Sequence, residues 1–201
     1  MKPISQQHVS AVILAGGMGR RMGGQDKGQL ELNGRLLIEY VLETIQPQVK
    51  TILINANRHQ AEYASYGYPV VPDLLQGYQG PLAGFATGMR AATTPYIVTL
   101  PCDGPFSPPD LVARLAAGLE KQHADIAVAH DGERLQPVYA LLPISLSPSL
   151  ESFLAAGERK IDLWYAQHKM ARVDFSDVAK TFHNINTPQD QNRLQQEGCS
   201  T

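Results

Sequence analysis

Apolar residues arrive in short blocks, and the blocks alternate between the period of a strand and that of a helix. Val9 to Leu14 is a compact, β-branched run with no turn former, which predicts a buried strand ending at Gly16-Gly17. Leu30-Glu31-Leu32 followed by Asn33-Gly34 predicts a short extended piece and a turn. Over 36–45, Leu37, Val41 and Ile45 share a helical face with Tyr40, and Pro47 stops the helix. Val49 to Ile54 is a second strand closing on Asn55-Ala56-Asn57, 58–65 is a short polar helix, and Pro69 to Pro72 is a brief third strand closing on Asp73. Gly77 to Gly84 forms a second glycine-rich loop that leads into a small-residue helix over about 84–91, with Pro81 near its start. Tyr96 to Leu100 is the most apolar strand, and it empties into Pro101-Cys102-Asp103-Gly104-Pro105. Ser107 is placed to cap the next helix, with Pro108 in its first position and its end near Lys121.

The second half is less regular. Asp125 to Ala129 and Leu135 to Leu142 read as strands, the latter tolerating Pro137 at an edge or bulge. Residues 144–156 and 160–167 read as helices, Ala171 to Phe175 and Phe182 to Asn186 as strands, and Thr187-Pro188 starts a closing helix. Residues 1–8 read as a loose terminal segment, and hairpin-like pieces are expected only after residue 130. The strand–helix alternation predicts an α/β fold, a mostly parallel central sheet with helices on both faces, in one domain over 1–201.

Composition narrows the function classes. The chain has 201 residues, 43% of them apolar, enough for a sizeable core. A net charge of −2 offers no global field for nucleic acid or an anionic membrane, so attraction to an anionic substrate must be local. Cys102 and Cys199 lie far apart and outside any metal-ligand pattern, which points to a reducing compartment, and no run approaches a membrane span. Cytoplasmic localisation is the expectation. The six histidines show no ligand spacing, which argues against zinc.

The chemistry concentrates where strands end. The first strand runs into a glycine-rich turn carrying Arg20, Arg21 and Lys27. Glycines let backbone N–H groups approach an anion and the cations offset its charge, so this is a phosphate cradle in outline. It is not a P-loop: Gly19 and Gly24 have the right separation, but Gln25 follows. It is not the dinucleotide fingerprint either, because Met22 stands where the third glycine belongs. In an open parallel sheet ligands bind beyond the carboxyl ends of the strands. The cradle, Asn55, Asp73, Asp103 and the Asn184/Asn186 pair would all crowd that edge. Asp103 is the sharpest candidate: an acid ending the most apolar strand is costly to bury unpaired, and Mg²⁺ held between it and substrate phosphates would resolve that. Cys102 reads as a packed small residue rather than a nucleophile.

Leu14-Ala15-Gly16-Gly17, Arg21-Met22-Gly23 and Asp26-Lys27-Gly28 resemble the opening signature of nucleotidyltransferases. Asn55-Ala56-Asn57-Arg58, Gly80-Pro81-Leu82-Ala83-Gly84, Pro101-Cys102-Asp103, Gln136-Pro137, Gly157-Glu158-Arg159 and Asn184-Ile185-Asn186-Thr187-Pro188 narrow the likeness to the molybdenum cofactor guanylyltransferase family. The resemblance implies a three-layer Rossmann-like nucleotidyltransferase fold, nucleotide-binding over about 1–130 and molybdopterin-facing over about 131–201. It implies Mg²⁺-dependent transfer of GMP from GTP to the terminal phosphate of molybdopterin. Leu14, Ala15 and Gly16 would line the guanine and ribose pocket, and Gly17, Arg21 and Lys27 would hold phosphates. Asn55 and Asp73 match nucleotide-binding positions, and Asp103 matches the magnesium ligand. Asn184 and Asn186 would face molybdopterin, with Arg159 beside them. Arg21, Lys27 and Asp103 would be the catalytic set. Gly19 departs from the serine many relatives carry. Molybdenum-insertion proteins and molybdoenzyme chaperones are the implied partners, and a monomer the expected form. A sister nucleotidyltransferase using CTP or a sugar phosphate, a non-catalytic GTP-binding adaptor and a Rossmann dehydrogenase stay as alternatives.

Overall fold

The computed structural model describes residues 3–15, 17, 26–75, 77, 79–185 and 190. Its centre is a seven-stranded sheet. Its strands are β1 (Val9–Leu14), β4 (Thr51–Asn55), β5 (Val70–Val71), β6 (Tyr96–Pro101), β7 (Ile126–His130), β8 (Leu135–Pro143) and β9 (Met170–Asp174). They lie in the order β5-β4-β1-β6-β8-β7-β9. β8 runs antiparallel to both of its neighbours, and every other pairing is parallel. The mostly parallel sheet expected from the alternation is therefore present. Two short strands, β2 (Glu31–Leu32) and β3 (Arg35–Leu36), form a separate hairpin about Asn33 and Gly34, both at positive φ.

Helices cover both faces because alternate residues of each strand point to opposite sides. Val9, Ala11 and Ile13 of β1 meet α1 (Leu37–Ile45) and α4 (Leu111–Gln122) on one face. Val12 meets α3 (Pro81–Ala91) on the other, where α5 (Ser147–Ala155) and α6 (Ile161–Tyr165) also pack. The short α2 (Gln60–Ala64) sends Tyr63 into the first of these cores. No helix among the described residues is long and apolar enough to cross a membrane.

Several expectations are corrected. The hairpin at 31–36 precedes residue 130. Residues 3–8 are not loose: Gln6–His8 form a 3-10 turn and the Ile4 amide donates to Glu120 Oε1. Helix α3 begins at Pro81, because Gly80 at φ 84 turns the chain in just before it. Ser107 is not a helix cap. Its hydroxyl donates to the Gly104 carbonyl, α4 starts at Leu111, and the Val112 amide is satisfied by Gln48 Oε1 from far along the chain. Of the two places expected for Pro137, the structure gives the bulge and not the edge: β8 is an interior strand, and a register shift opposite Pro137 accommodates the missing donor. Residues 144–156 divide into a 3-10 turn and α5. Phe182 to Asn184 is no strand. A 3-10 segment, Ser176–Phe182, buries Phe182 against Tyr139 and Phe175, and Ile185 then buries itself while its amide donates to the Asp103 carbonyl. The helix expected from Thr187-Pro188 lies outside the described residues but for Asp190, which is helical.

Candidate active site

Strand register assembles the site. Leu14 pairs with Asn55 on one side and Pro101 on the other, so three strands end level at the carboxyl edge. The Ala15 amide donates to the Asn55 carbonyl and the Cys102 amide to the Leu14 carbonyl, which extends the alignment one residue further. Beyond this edge lies a cavity of about 350 Å³. Leu14, Ala15, Gly17, Lys27, Asn55, Asp73 and Asp103, all singled out in the sequence, are brought together in its lining. Gly16, Arg21 and Asn186 lie outside the described residues.

On the β4 side, Asp73 is held by two amides. Asn55 Nδ2 donates to its Oδ1 at 2.9 Å and Asn57 Nδ2 to its Oδ2 at 2.7 Å, while the Asp73 amide donates to Asn57 Oδ1 at 2.8 Å. Asn55 also donates to the Val71 carbonyl. Asn55 is buried, and Gly84 of α3 makes room for it: a Cβ there would lie 2.5 Å from Asn55 Oδ1. The start of α3 opens on the same cavity through Gly80 and Pro81, so the positive end of its dipole favours an anion there.

On the β6 side, Lys27 Nζ donates to Asp103 Oδ2 at 2.7 Å, joining the end of the glycine-rich segment to the end of β6. Asp103 is 5% exposed. Burial pushes the Cys102 thiol well above its ordinary value, with Asp103 and Asp26 adding to the rise, which favours its protonated form. Gly104 passes so close to the Tyr139 hydroxyl that a Cβ would meet it, and the same Cβ would lie 3.2 Å from Asn184 Oδ1. Asn184 therefore reaches the Asp103 corner without lining the cavity. Arg159 stands apart, donating to Gln79 Oε1 and to the Leu154 and Glu158 carbonyls.

No group of three or more His, Cys, Asp or Glu side chains able to hold a metal occurs among the described residues. A buried carboxylate opening on an otherwise hollow site suits a hard divalent ion that brings phosphates and water as its other ligands, so Asp103 fits Mg²⁺ in that form.

Four residues with evident parts in this geometry carry no sequence prediction of a role: Asp26, Asn57, Arg58 and Tyr63. Asn57 had a faint signal, because residues two apart in extended chain share a side, as Asn55 and Asn57 do toward Asp73. Tyr63 had none, since α2 reads as a polar surface helix although Tyr63 is fully buried.

Residues 11–172 match the model of the MobA-like NTP transferase domain. A molybdenum cofactor guanylyltransferase of Shewanella sp. strain ANA-3 is 54% identical over 94% of this chain and 96% of its own. One from Shewanella sediminis is 53% identical over 92% and 95%. Among solved structures, molybdopterin-guanine dinucleotide biosynthesis protein A from Archaeoglobus fulgidus superposes with a TM-score of 0.79 at 28% identity, covering 96% of this chain and all of that one. The 4-diphosphocytidyl-2C-methyl-D-erythritol synthase of Anaerococcus prevotii shares the fold, with a TM-score of 0.76 at 14% identity over 96% and 97%.

Proposed function

The chain belongs to the MobA-like NTP transferase family, among the molybdenum cofactor guanylyltransferases, and from that premise we propose that it transfers GMP from GTP to the terminal phosphate of molybdenum-molybdopterin, releasing pyrophosphate. One observation carries the reading: a cation and a buried acid, Lys27 and Asp103 at 2.7 Å, meet in a cavity whose opposite wall is the Asn55–Asp73 cluster. In this reading the Asn55–Asp73 end receives the nucleoside and the Lys27–Asp103 end its phosphates.

In the proposed step an oxygen of the molybdopterin phosphate forms a bond to the α-phosphorus. The bond from that phosphorus to the bridging oxygen breaks, and its electron pair leaves with pyrophosphate. The nucleophile is already anionic, so no strong base is needed. What remains is alignment and neutralisation of charge that builds on the leaving group. Lys27 supplies positive charge to the phosphates, with Arg21 and the start of α3 assisting. Asp103 would hold Mg²⁺, which supplies further charge neutralisation when bound. Leu14, Ala15, Gly16 and Gly17 would receive the nucleotide by backbone contact, with Asn55 and Asp73 on the nucleoside. Asn184, Asn186 and Arg159 would face molybdopterin. Proteins that insert molybdenum or receive the product belong to the same proposal.

The test is direct. The protein is incubated with molybdopterin, Mg²⁺ and each NTP in turn, and both pyrophosphate and the dinucleotide are measured. Pyrophosphate release that needs both GTP and molybdopterin is the expected result. Release with CTP instead would reassign the base. GTP binding with no transfer under any pairing would leave a binding module.

A further inference from the structure

Immediately beside Lys27, at the cavity wall that Asp26 also lines, lies a polar contact that the reaction itself does not call for. Tyr63, fully buried in the core, donates its hydroxyl to Asp26 Oδ1 at 2.6 Å. The same carboxylate oxygen accepts the Gly28 amide at 3.1 Å and so caps the 3-10 turn Lys27–Gln29. The turn rests directly on Tyr63 and Cys102: a Cβ on Gly28 would lie 2.5 Å from the Tyr63 hydroxyl and 3.2 Å from Cys102 Cβ. Lys27, the first residue of that turn, reaches out to Asp103. Asp26 is 7% exposed, and its second oxygen, Oδ2, is buried with no hydrogen-bond partner.

This is an expensive way to anchor a short helix. A buried carboxylate with an unmet oxygen costs far more than a phenylalanine packed in the same place. The arrangement makes sense if direction is what it supplies. Burial raises the Tyr63 phenol far above its ordinary value, so it stays a donor at every working pH. A second tie comes from the same stretch of chain: Arg58 Nη2 donates to the Gly17 carbonyl at 2.9 Å. Arg58 and Tyr63 thus fasten the residues that flank 18–25 on both sides, while Asn55 and Asn57 just before them fasten Asp73.

We propose that Tyr63 and Asp26 are positioning residues of the nucleotide site: together they fix the turn that aims the Lys27 ammonium at the phosphates. The inference rests on the reading of the cavity as a nucleotide site, and its test separates the two. Binding of Mg²⁺-GTP to the full chain is measured by calorimetry for Tyr63→Phe, Lys27→Ala and the double variant. Tyr63→Phe alone is expected to weaken binding about tenfold, the worth of a well-made hydrogen bond to a charged group. In the Lys27→Ala background the same change is expected to cost less than about twofold, because residues acting through one another are not additive. Asp26→Asn keeps a carbonyl that accepts both bonds and is expected to bind within about threefold of the parent, whereas Asp26→Ala should match Tyr63→Phe. Equal losses from Tyr63→Phe in both backgrounds would overturn the inference, because they would mark general damage to the fold. So would Asp26→Asn losing as much as Asp26→Ala, which would make the carboxylate charge itself the working group. If Lys27→Ala binds as the parent does, the nucleotide reading of the cavity falls instead. Hydrogen exchange of the Gly28 amide supplies the structural readout: it should quicken in Tyr63→Phe and Asp26→Ala and not in Lys27→Ala.

Discussion

Lys27 and Asp103 are 76 residues apart in sequence and 2.7 Å apart in space, and each keeps the other tolerable. The Asp103 side chain is 8% exposed, so removing its cation leaves a largely buried carboxylate to be rehydrated. Lys27→Ala is expected to cost about 1–3 kcal/mol of stability in denaturant titrations, as well as weakening GTP binding and turnover. Asp103→Asn keeps the shape and removes the charge. It is expected to fold, to melt within a few degrees of the parent, and to lose pyrophosphate release, with turnover and melting followed on the same preparation. Near-parental turnover in Asp103→Asn at ordinary magnesium would remove the metal from that residue. These two residues were legible in the sequence because each sits at a chemical discontinuity, a cation after glycines and an acid after an apolar strand. Tyr63 was illegible for the opposite reason: one aromatic in a five-residue helix has no period to announce that it is buried.

At the scale of elements, α3 shows how small residues set a distance. Gly84 and Gly88 are one turn apart on its sheet-facing side, and a Cβ at Gly88 would lie 2.5 Å from Val12 Cγ2. Gly88→Ala gains helix propensity of about 1 kcal/mol but forces α3 off β1, so a net loss of about 1–2 kcal/mol is expected by thermal or chemical melting. The sequence showed α3 as a small-residue helix and missed its first turn, which depends on the positive φ of Gly80. On the same face, His168 sits edge-on to Trp164 with Nε2 3.2 Å from Ser149 Oγ. Burial lowers its pKa from the ordinary 6.5, and Asp125 offsets only part of this. The unfolded chain therefore holds more protons at mildly acidic pH, so this contribution is intact above about 6.5 and is lost as pH falls through the folded value. Melting of the parent should decline more steeply from pH 7 to pH 5 than melting of His168→Gln, and parallel curves would refute it.

For the whole molecule, the cavity is where strand ends from widely separated parts of the chain converge, so a ligand bound there ties them together. Ligand that binds only the folded state stabilises it by about 2.7 kcal/mol at a hundredfold excess over its Kd. Mg²⁺-GTP is expected to raise the melting temperature by several degrees, and Lys27→Ala to remove most of that rise in a thermal-shift series. The continuous sheet also carries β8 between β6 and β7 against the prevailing direction. Its sequence gave no sign of an interior place, since Pro137 fits an edge equally well.

Local pattern alone determined the α/β class, the identity of most strands and helices, and the crowding of Asn55, Asp73 and Asp103 at one edge, because burial periodicity and strand ends are written residue by residue. The seating of β8, the route of 182–185 past Asp103 and the Tyr63–Asp26 support beneath Lys27 were decided only when distant segments packed. Those features depend on which residues become neighbours in space, and a chain read in one dimension carries no measure of that distance.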